Sequence, residues 1–332
     1  MIISRTPFRI SFFGGGTDYP IWYNKYGGQT ISVTINKYCF IIVRYLPPFF
    51  DYNYRIRYYQ HEETNSMDDI KHPSVRECLK YLKIDKGVEI VHNADLPAMS
   101  GLGSSSTFTV GLLNSLYALQ NYMPTKRELA INAIHVEQNK IKEFVGSQDQ
   151  TAAAFGGLNR ITFNKAKNID VDPIILSEER KVQLQDNLML FFTGFTRIAS
   201  SIAEEQLRLI NQNKTQLNKM IEICDKGFEI LIDKSQSLDQ FGYLLNEQWQ
   251  LKRGLAKNIS NNSIDKIYDN AIKAGAIGGK LLGAGGGGFI LFYVPKEKQE
   301  KLKNILNDIS YVPFRFEYTG SKIIYYSHHG QQ

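Results

Sequence analysis

The chain has 332 residues, 43% of them hydrophobic and 22% charged, with a formal net charge of +6. That length gives one large or two ordinary domains with an ample core. The mild basic excess suits an anionic small molecule, without the clustered basic tract of a nucleic-acid binder. No apolar run approaches the ~18 residues of a membrane span, and the N-terminus MIISRTPFRISFF lacks the apolar core of a signal peptide. The three separated cysteines, Cys39, Cys78 and Cys224, show no metal or disulfide spacing. A cytoplasmic protein with buried, reduced thiols is expected, binding neither nucleic acid nor membrane.

The first half is strand-rich. RTPFRISFF (5–13) ends at Gly14-Gly15-Gly16, QTISVTIN (29–36) alternates, and KYCFIIVRYL (37–46) is apolar and β-branched. The loop PPFFDYN (47–53) leads to YRIRYYQ (54–60), which reads as a hairpin with 37–46. A short helix over 74–82 and a strand over 88–94 lead to PAMSGLGSSS (97–106), and an apolar helix follows in which Val110, Leu113, Leu116 and Tyr117 fall at helical spacing. Thr125-Lys-Arg-Glu128 is a capping box that predicts a helix to about Phe144. GSQDQTAAAFGG (146–157) reads as a loop with one helical turn, followed by a strand over 158–163. The charged stretch 164–186 is the expected domain boundary, dividing the chain into 1–180 and 181–332. The second half opens with a buried strand (187–194) and continues with helices at about 197–213, 215–233, 238–257 and 263–274. A glycine loop and strand (278–295), a helix near 296–309 and two closing strands complete it.

Two glycine-rich stretches compete for a nucleotide. Gly283-Ala-Gly285-Gly-Gly-Gly288 spells GxGxxG, but FILFYV follows where a dinucleotide site needs a helix, so an NAD enzyme is disfavoured. No GxxxxGK[ST] occurs. PAMSGLGSSS has the right context, with a strand before and a helix after. A helix N-terminus offers unpaired N–H groups and a positive dipole end, glycines admit an anion closely, and serines add donors or a Mg2+ ligand. The stretch is either a capped turn or a cradle for triphosphate.

This stretch resembles the second motif of the GHMP kinases, small-molecule kinases named for galactose, homoserine, mevalonate and phosphomevalonate. Pro7-Phe-Arg9-Ile-Ser-Phe-Phe-Gly14-Gly15-Gly16-Thr17-Asp18 resembles their first motif, and Lys280-Leu-Leu-Gly283-Ala-Gly285-Gly286-Gly287-Gly288 their third. The order and span of the three cover nearly the whole chain. The resemblance implies an α+β fold in which an N-terminal domain like the second domain of ribosomal protein S5 meets a ferredoxin-like C-terminal domain, with the active site between them. It also implies ATP and Mg2+.

Residue by residue, the resemblance implies ATP contacts from Pro97, Ser100, Gly101, Leu102, Gly103, Ser104, Ser105 and Ser106. Asp149, by composition a turn or N-cap residue, becomes the catalytic base, with Arg9 beside it as the cation favouring its charged form. Glu137, otherwise a solvated helix-face residue, becomes a Mg2+ ligand with Ser105. Asp18 is the expected reader of sugar hydroxyls, with Gly15, Gly16, Thr17, Gly285 and Gly286 also assigned to the substrate; a distal phosphate would need a basic clamp, for which Arg197 and Lys322 are the candidates. Gly15-Gly16 stands where galactokinases carry Glu-His, which argues against galactose. The Gly-Gly-Gly-Thr-Asp form, PPFFDYN and GSQDQTAAAFGGLN are similar to the D-glycero-D-manno-heptose 7-phosphate kinases, which phosphorylate the anomeric C1 hydroxyl. The partner expected is a small sugar phosphate. A kinase for an unphosphorylated sugar such as fucose, and a non-catalytic sugar or nucleotide sensor, stay open, as does the oligomeric state.

Overall fold

The computed structural model describes residues 1–166, 168–195 and 199–327, without the side chains of 199–201. Two sheets organise it. The first is built on β1 (Ile2–Phe13) and β2 (Gly28–Tyr45), which run antiparallel along nearly their full length. The segments 29–36 and 37–46, expected as separate strands, are one continuous strand of 18 residues. A strand that long needs several partners on its other edge. Residues 28–33 pair with β6 (Leu158–Phe163), 34–35 with the two-residue β12 (Phe316–Glu317), and 39–45 with β5 (Val88–Ala94).

The expected hairpin between 37–46 and 54–60 does not form. β3 (Tyr54–Arg57) instead turns back on β4 (His61–Thr64) and lies parallel to β5, which takes the place beside β2. The seven-residue β5 satisfies that length of β2 edge with Val88 and Ile90 buried, which the four-residue β3 could not. β7 (Ile169–Pro173) pairs with β6, and β13 (Lys322–Tyr326) closes the far edge beside β1. The last two strands of the chain therefore return to the first sheet.

The second sheet has the order β11-β8-β10-β9, all antiparallel, from β8 (Leu188–Phe192), β9 (Gly278–Leu281), β10 (Phe289–Tyr293) and β11 (Ser310–Tyr311). Taken in their own sequence order these strands stand 4-1-3-2, with helices between the first and second and between the third and fourth. That is a βαββαβ, ferredoxin-like arrangement.

Most helices fall on the expected spans, while those at Pro20–Tyr26 and Glu178–Asp186, the latter inside the stretch expected as a domain boundary, lie where no helix is expected. The helices are α1 (Pro20–Tyr26), α2 (Pro73–Tyr81), α3 (Ser104–Leu119), α4 (Lys126–His135), α5 (Gln148–Phe155) and α6 (Glu178–Asp186) in the first part. In the second come α7 (Ala199–Arg208), α8 (Lys214–Ile232), α9 (Asp239–Arg253), α10 (Asn262–Ala274) and α11 (Gln299–Ile305). The helix expected to run to Phe144 leaves α geometry at His135 and finishes as a π-helical turn over Val136–Ile141. The Thr125 cap is present, its hydroxyl accepting from Glu128 N at 3.1 Å.

α3 is buried from Ser106 through Leu119, which explains its apolar composition all round. Gly111 lets it press onto β1: a Cβ there would lie 2.8 Å from Thr6 Oγ1. The two halves share apolar cores. Phe12 and Phe13 of β1 meet Phe241 of α9 at ring distances of 5.2 and 4.8 Å, and Arg160 of β6 pairs with Asp225 of α8 at 2.6 Å. No helix among the described residues is long and apolar enough to cross a membrane.

Candidate active site

The three glycine motifs, far apart in sequence, meet at one point. Arg9 N donates to Leu102 O (3.2 Å) and Arg9 Nη1 to Gly101 O (2.8 Å), fixing the second motif on β1. Phe289 N donates to Ser100 O (3.0 Å), fixing it on the third. A Cβ on Gly283 would lie 2.4 Å from Gly101 Cα, and one on Gly288 2.2 Å from Ser100 O. Both glycines also have positive φ, +71° and +97°, so side chains are excluded there twice over.

The loop then opens into α3 at Ser104, with Gly103 at the N-cap in left-handed conformation (φ 77°). No side chain caps this N-terminus. A helix start with unpaired donors and a glycine entrance is a ready anion site. Ser105 is exposed beside it, Ser104 half-buried, Pro97 exposed, and Leu102 buried as a core anchor.

At the mouth of this loop stands an ion pair. Arg9 Nε and Nη2 donate to the two oxygens of Asp149, at 2.8 and 2.6 Å, in the planar two-bond geometry of guanidinium and carboxylate. The Arg9 side chain is 5% exposed and that of Asp149 27%, so the carboxylate is the member that faces outward. Asp149 Oδ2 would lie 3.3 Å from a Cβ on Gly103, which puts the carboxylate against the entrance to α3. Asp149 sits in the first turn of α5, and its neighbour Gln148 donates to its Oδ1 at 3.2 Å while accepting from Ser11.

A second carboxylate lies close by. Asp18 accepts from Gly16 N (2.9 Å) and Gln148 N (3.4 Å), and its carboxyl is pushed up by burial and then by the Asp149 charge. A Cβ on Gly146 would fall 1.9 Å from Asp18 Oδ2, so only glycine admits this placement. Gly15 and Gly16 are half-exposed beside it. Thr17, expected with them, points inward: its hydroxyl donates to Gly14 O (2.8 Å) and accepts from Gln29 N (3.2 Å), and the residue is fully buried. It holds the turn and presents nothing to a ligand. Gly285 and Gly286 are likewise buried, with Gly286 N bonded to Ile259 O (2.9 Å). Their backbone is taken up by packing rather than displayed. Arg197 lies outside the described residues.

Glu137 is fully buried at the start of the π-helical turn. Its Oε2 accepts from Ser106 Oγ at 2.8 Å and from Gln150 Nε2. Thr109 lies beside it but spends its one hydroxyl proton on Ser105 O (3.2 Å). Glu137 Oε1 is left buried with no hydrogen bond, and burial pushes the carboxyl up to about 7. The serine bonded to Glu137 is thus Ser106, while Ser105 is one residue away on the exposed side. A buried carboxylate with one idle oxygen and the Ser106 hydroxyl on the other fits a hard cation that takes few protein ligands.

Two lysines that sequence reasoning passed over complete the site. Lys280 of β9 is buried and donates to Ser11 O (2.8 Å) and Phe12 O (2.9 Å), stitching the second sheet to the end of β1. Burial, then the nearby Lys252 charge, holds its ammonium well below the usual range. Lys252 of α9 donates to Gly283 O and Leu281 O. A single lysine inside the apolar run GGKLL signals the first. The spacing Phe241, Leu245, Gln248, Lys252 signals the second, since it places Lys252 on a buried stripe.

Comparison with known proteins agrees with this geometry. Residues 73–157 match the GHMP kinases N terminal domain and residues 228–311 the GHMP kinases C terminal domain. The D-glycero-alpha-D-manno-heptose 7-phosphate kinase of Campylobacter jejuni is 31% identical over 97% of this chain and 98% of that protein.

The chain belongs to the GHMP kinases. This GHMP kinase is a sugar kinase, a phosphotransferase with an alcohol acceptor. Its fold is shared with a D-glycero-D-manno-heptose 1-phosphate kinase from Bacteroides thetaiotaomicron, at a TM-score of 0.79 and 24% identity over 97% of this chain and 98% of the other. A galactokinase of Pyrococcus furiosus is 25% identical over 91% of both.

Proposed function

We propose that this chain transfers the γ-phosphoryl group of ATP to the anomeric C1 hydroxyl of D-glycero-D-manno-heptose 7-phosphate, giving the 1,7-bisphosphate on the way to a nucleotide-activated heptose for surface polysaccharide. The observation that carries the reaction is the Arg9–Asp149 pair at the glycine entrance of α3. The relative that is 31% identical over almost the whole chain supports the sugar.

In this reading residues 97–103 and the first N–H groups of α3 receive the triphosphate. Ser105 and Glu137 would hold Mg2+, whose charge would offset that of the phosphates. Asp149 accepts the C1 hydroxyl proton as the oxygen attacks in line. Arg9 keeps the carboxylate oriented and adds positive charge where negative charge gathers. Asp18 accepts from sugar hydroxyls, a bond that relieves the crowding of two nearby carboxylates. Positioning and charge, more than proton transfer, lower the barrier in such a reaction.

The test is incubation with ATP, Mg2+ and a panel of free sugars and sugar phosphates, followed by phosphorus NMR. A new anomeric phosphate signal with manno-heptose 7-phosphate alone is the expected result. A signal only with free hexoses keeps the kinase and removes the heptose. ATP binding without any product removes the catalytic reading.

A further inference from the structure

α9 carries an unusual buried face. Phe241, Leu245, Gln248 and Lys252 succeed one another at spacings of four, three and four, and all are buried. Two core positions of this helix are therefore polar. Gln248 is fully buried with neither amide atom hydrogen-bonded. Lys252, one turn later, has only neutral carbonyl oxygens as hydrogen-bond partners, those of Leu281 (3.4 Å) and Gly283. A buried ammonium without a carboxylate partner is costly, and such a cost persists where the charge has work to do.

Its location says what that work is. Gly283, which Lys252 holds by the carbonyl, is the residue that touches Gly101 of the phosphate loop. Gly101 O is in turn held by Arg9. Arg9 from β1 and Lys252 from α9 thus reach the two touching glycines separately, one through each loop. The charges facing Lys252 are Arg9 on β1, Asp18 after β1, Asp149 on α5 and Lys280 on β9. Asp149 is already paired with Arg9 and its charge repels that of Asp18, so neither acid is a hydrogen-bonded partner of Lys252, and the lysine's charge is free to meet an anion that enters at the head of α3.

We propose that Lys252 is a positioning residue for phosphoryl transfer, pinning the third glycine motif on the phosphate loop and bringing the second sheet's positive charge to the transferring phosphate. The arrangement makes the charge around that phosphate complete only when α9 is docked. Burial, then the Arg9 charge, brings the Lys252 ammonium down to about 8. Its charge is therefore full below that pH and lost above it. The inference rests on the chain being a kinase and is independent of which sugar it accepts, so any sugar turned over in the panel of sugars and sugar phosphates serves for its test.

The experiment compares Lys252→Met, Lys252→Gln and Lys252→Arg by steady-state kinetics from pH 6.5 to 9.5, with thermal unfolding as control. Met and Gln are expected to lower kcat about 30-fold or more with sugar KM within about twofold, the mark of an interaction made in the transition state. Arg is expected to restore most of the rate, and the fall in wild-type activity above pH 8 is expected to vanish in that variant. Met turnover within about threefold of wild type would overturn the proposal. So would a loss confined to the KM of a phosphorylated sugar, which would make Lys252 a clamp on the substrate's own phosphate. Should Met and Gln fail to fold, a wild-type profile flat to pH 9.5 would overturn it, and a fall above pH 8 that Arg abolishes would support it.

Discussion

The two glycine-rich loops look alike in sequence and do opposite things. In the first, 100–103, Gly103 stands in left-handed conformation at a helix start that no side chain caps. In the second, 283–288, glycine lets one backbone lie directly on another: Gly283 on Gly101, Gly288 on Ser100, Gly285 on Ile259. The element after each loop decides the difference. A helix gathers N–H groups at its start, whereas β10 after the second loop consumes its donors in strand pairing. Gly103 keeps the helix start open, whereas the glycines of the second loop, and Gly101 facing them, make room for the protein itself.

The same substitution in each loop should separate the two roles. Gly288→Ala puts a methyl 2.2 Å from Ser100 O at a φ of +97°, so it should lower stability by about 3 kcal/mol or more, read from urea unfolding. Near-normal stability would remove the packing role of the second loop. Gly103→Ala has more room, 3.3 Å to Asp149 Oδ2, and should cost about 1 kcal/mol of stability for its left-handed backbone. Its main effect should fall on kcat, about a hundredfold, because the carboxylate must shift. Should Gly103→Ala lose stability and keep turnover, the contrast between the loops would be reversed.

Smaller effects sharpen the picture around them. Gly146→Ala would displace Asp18, since the new carbon falls 1.9 Å from Oδ2; sugar KM should rise about 30-fold while ATP affinity holds. Isothermal titration with nucleotide and with sugar separates the two. Glu137 provides a pH test. Its folded carboxyl sits at about 7, above the unfolded value of 4.5, so the folded chain holds the extra proton between those pH values. Metal-free stability should therefore fall as pH rises from 4.5 to 7, and Glu137→Gln should abolish that slope. Mg2+ needs the ionised form, so its affinity should weaken about tenfold per pH unit below 7. A pH-independent Mg2+ affinity would take Glu137 out of the metal site.

Much of the site is legible in the sequence. Motif order points to Arg9 and the loop at 97–106, the family resemblance of the loop 146–157 points to Asp149, and the structure brings the three together through hydrogen bonds. Asp18 and Glu137 also lie where buried carboxylates can act. The failures share a physical cause. Thr17, Gly285 and Gly286 sit in motifs beside the candidate site, and only the fold shows that the Thr17 hydroxyl and the Gly286 N–H are bonded internally and that Gly285 is packed on Ile259. Whether 54–60 pairs with β2 or β5 is a competition between edges that alternation cannot decide. Lys252 and Lys280 carry charges, which by themselves suggest the surface, although the stripe on α9 and the apolar flanks in β9 mark both as buried.

In the proposed reaction the Asp149 carboxylate, held by Arg9 at the entrance of α3, takes part in phosphoryl transfer. The most direct test is turnover by Asp149→Ala at saturating ATP and sugar, with thermal unfolding and nucleotide affinity measured on the same preparation. A loss of kcat of at least about a hundredfold is expected, with nucleotide affinity and fold retained. Near-normal turnover by a folded Asp149→Ala chain would contradict it.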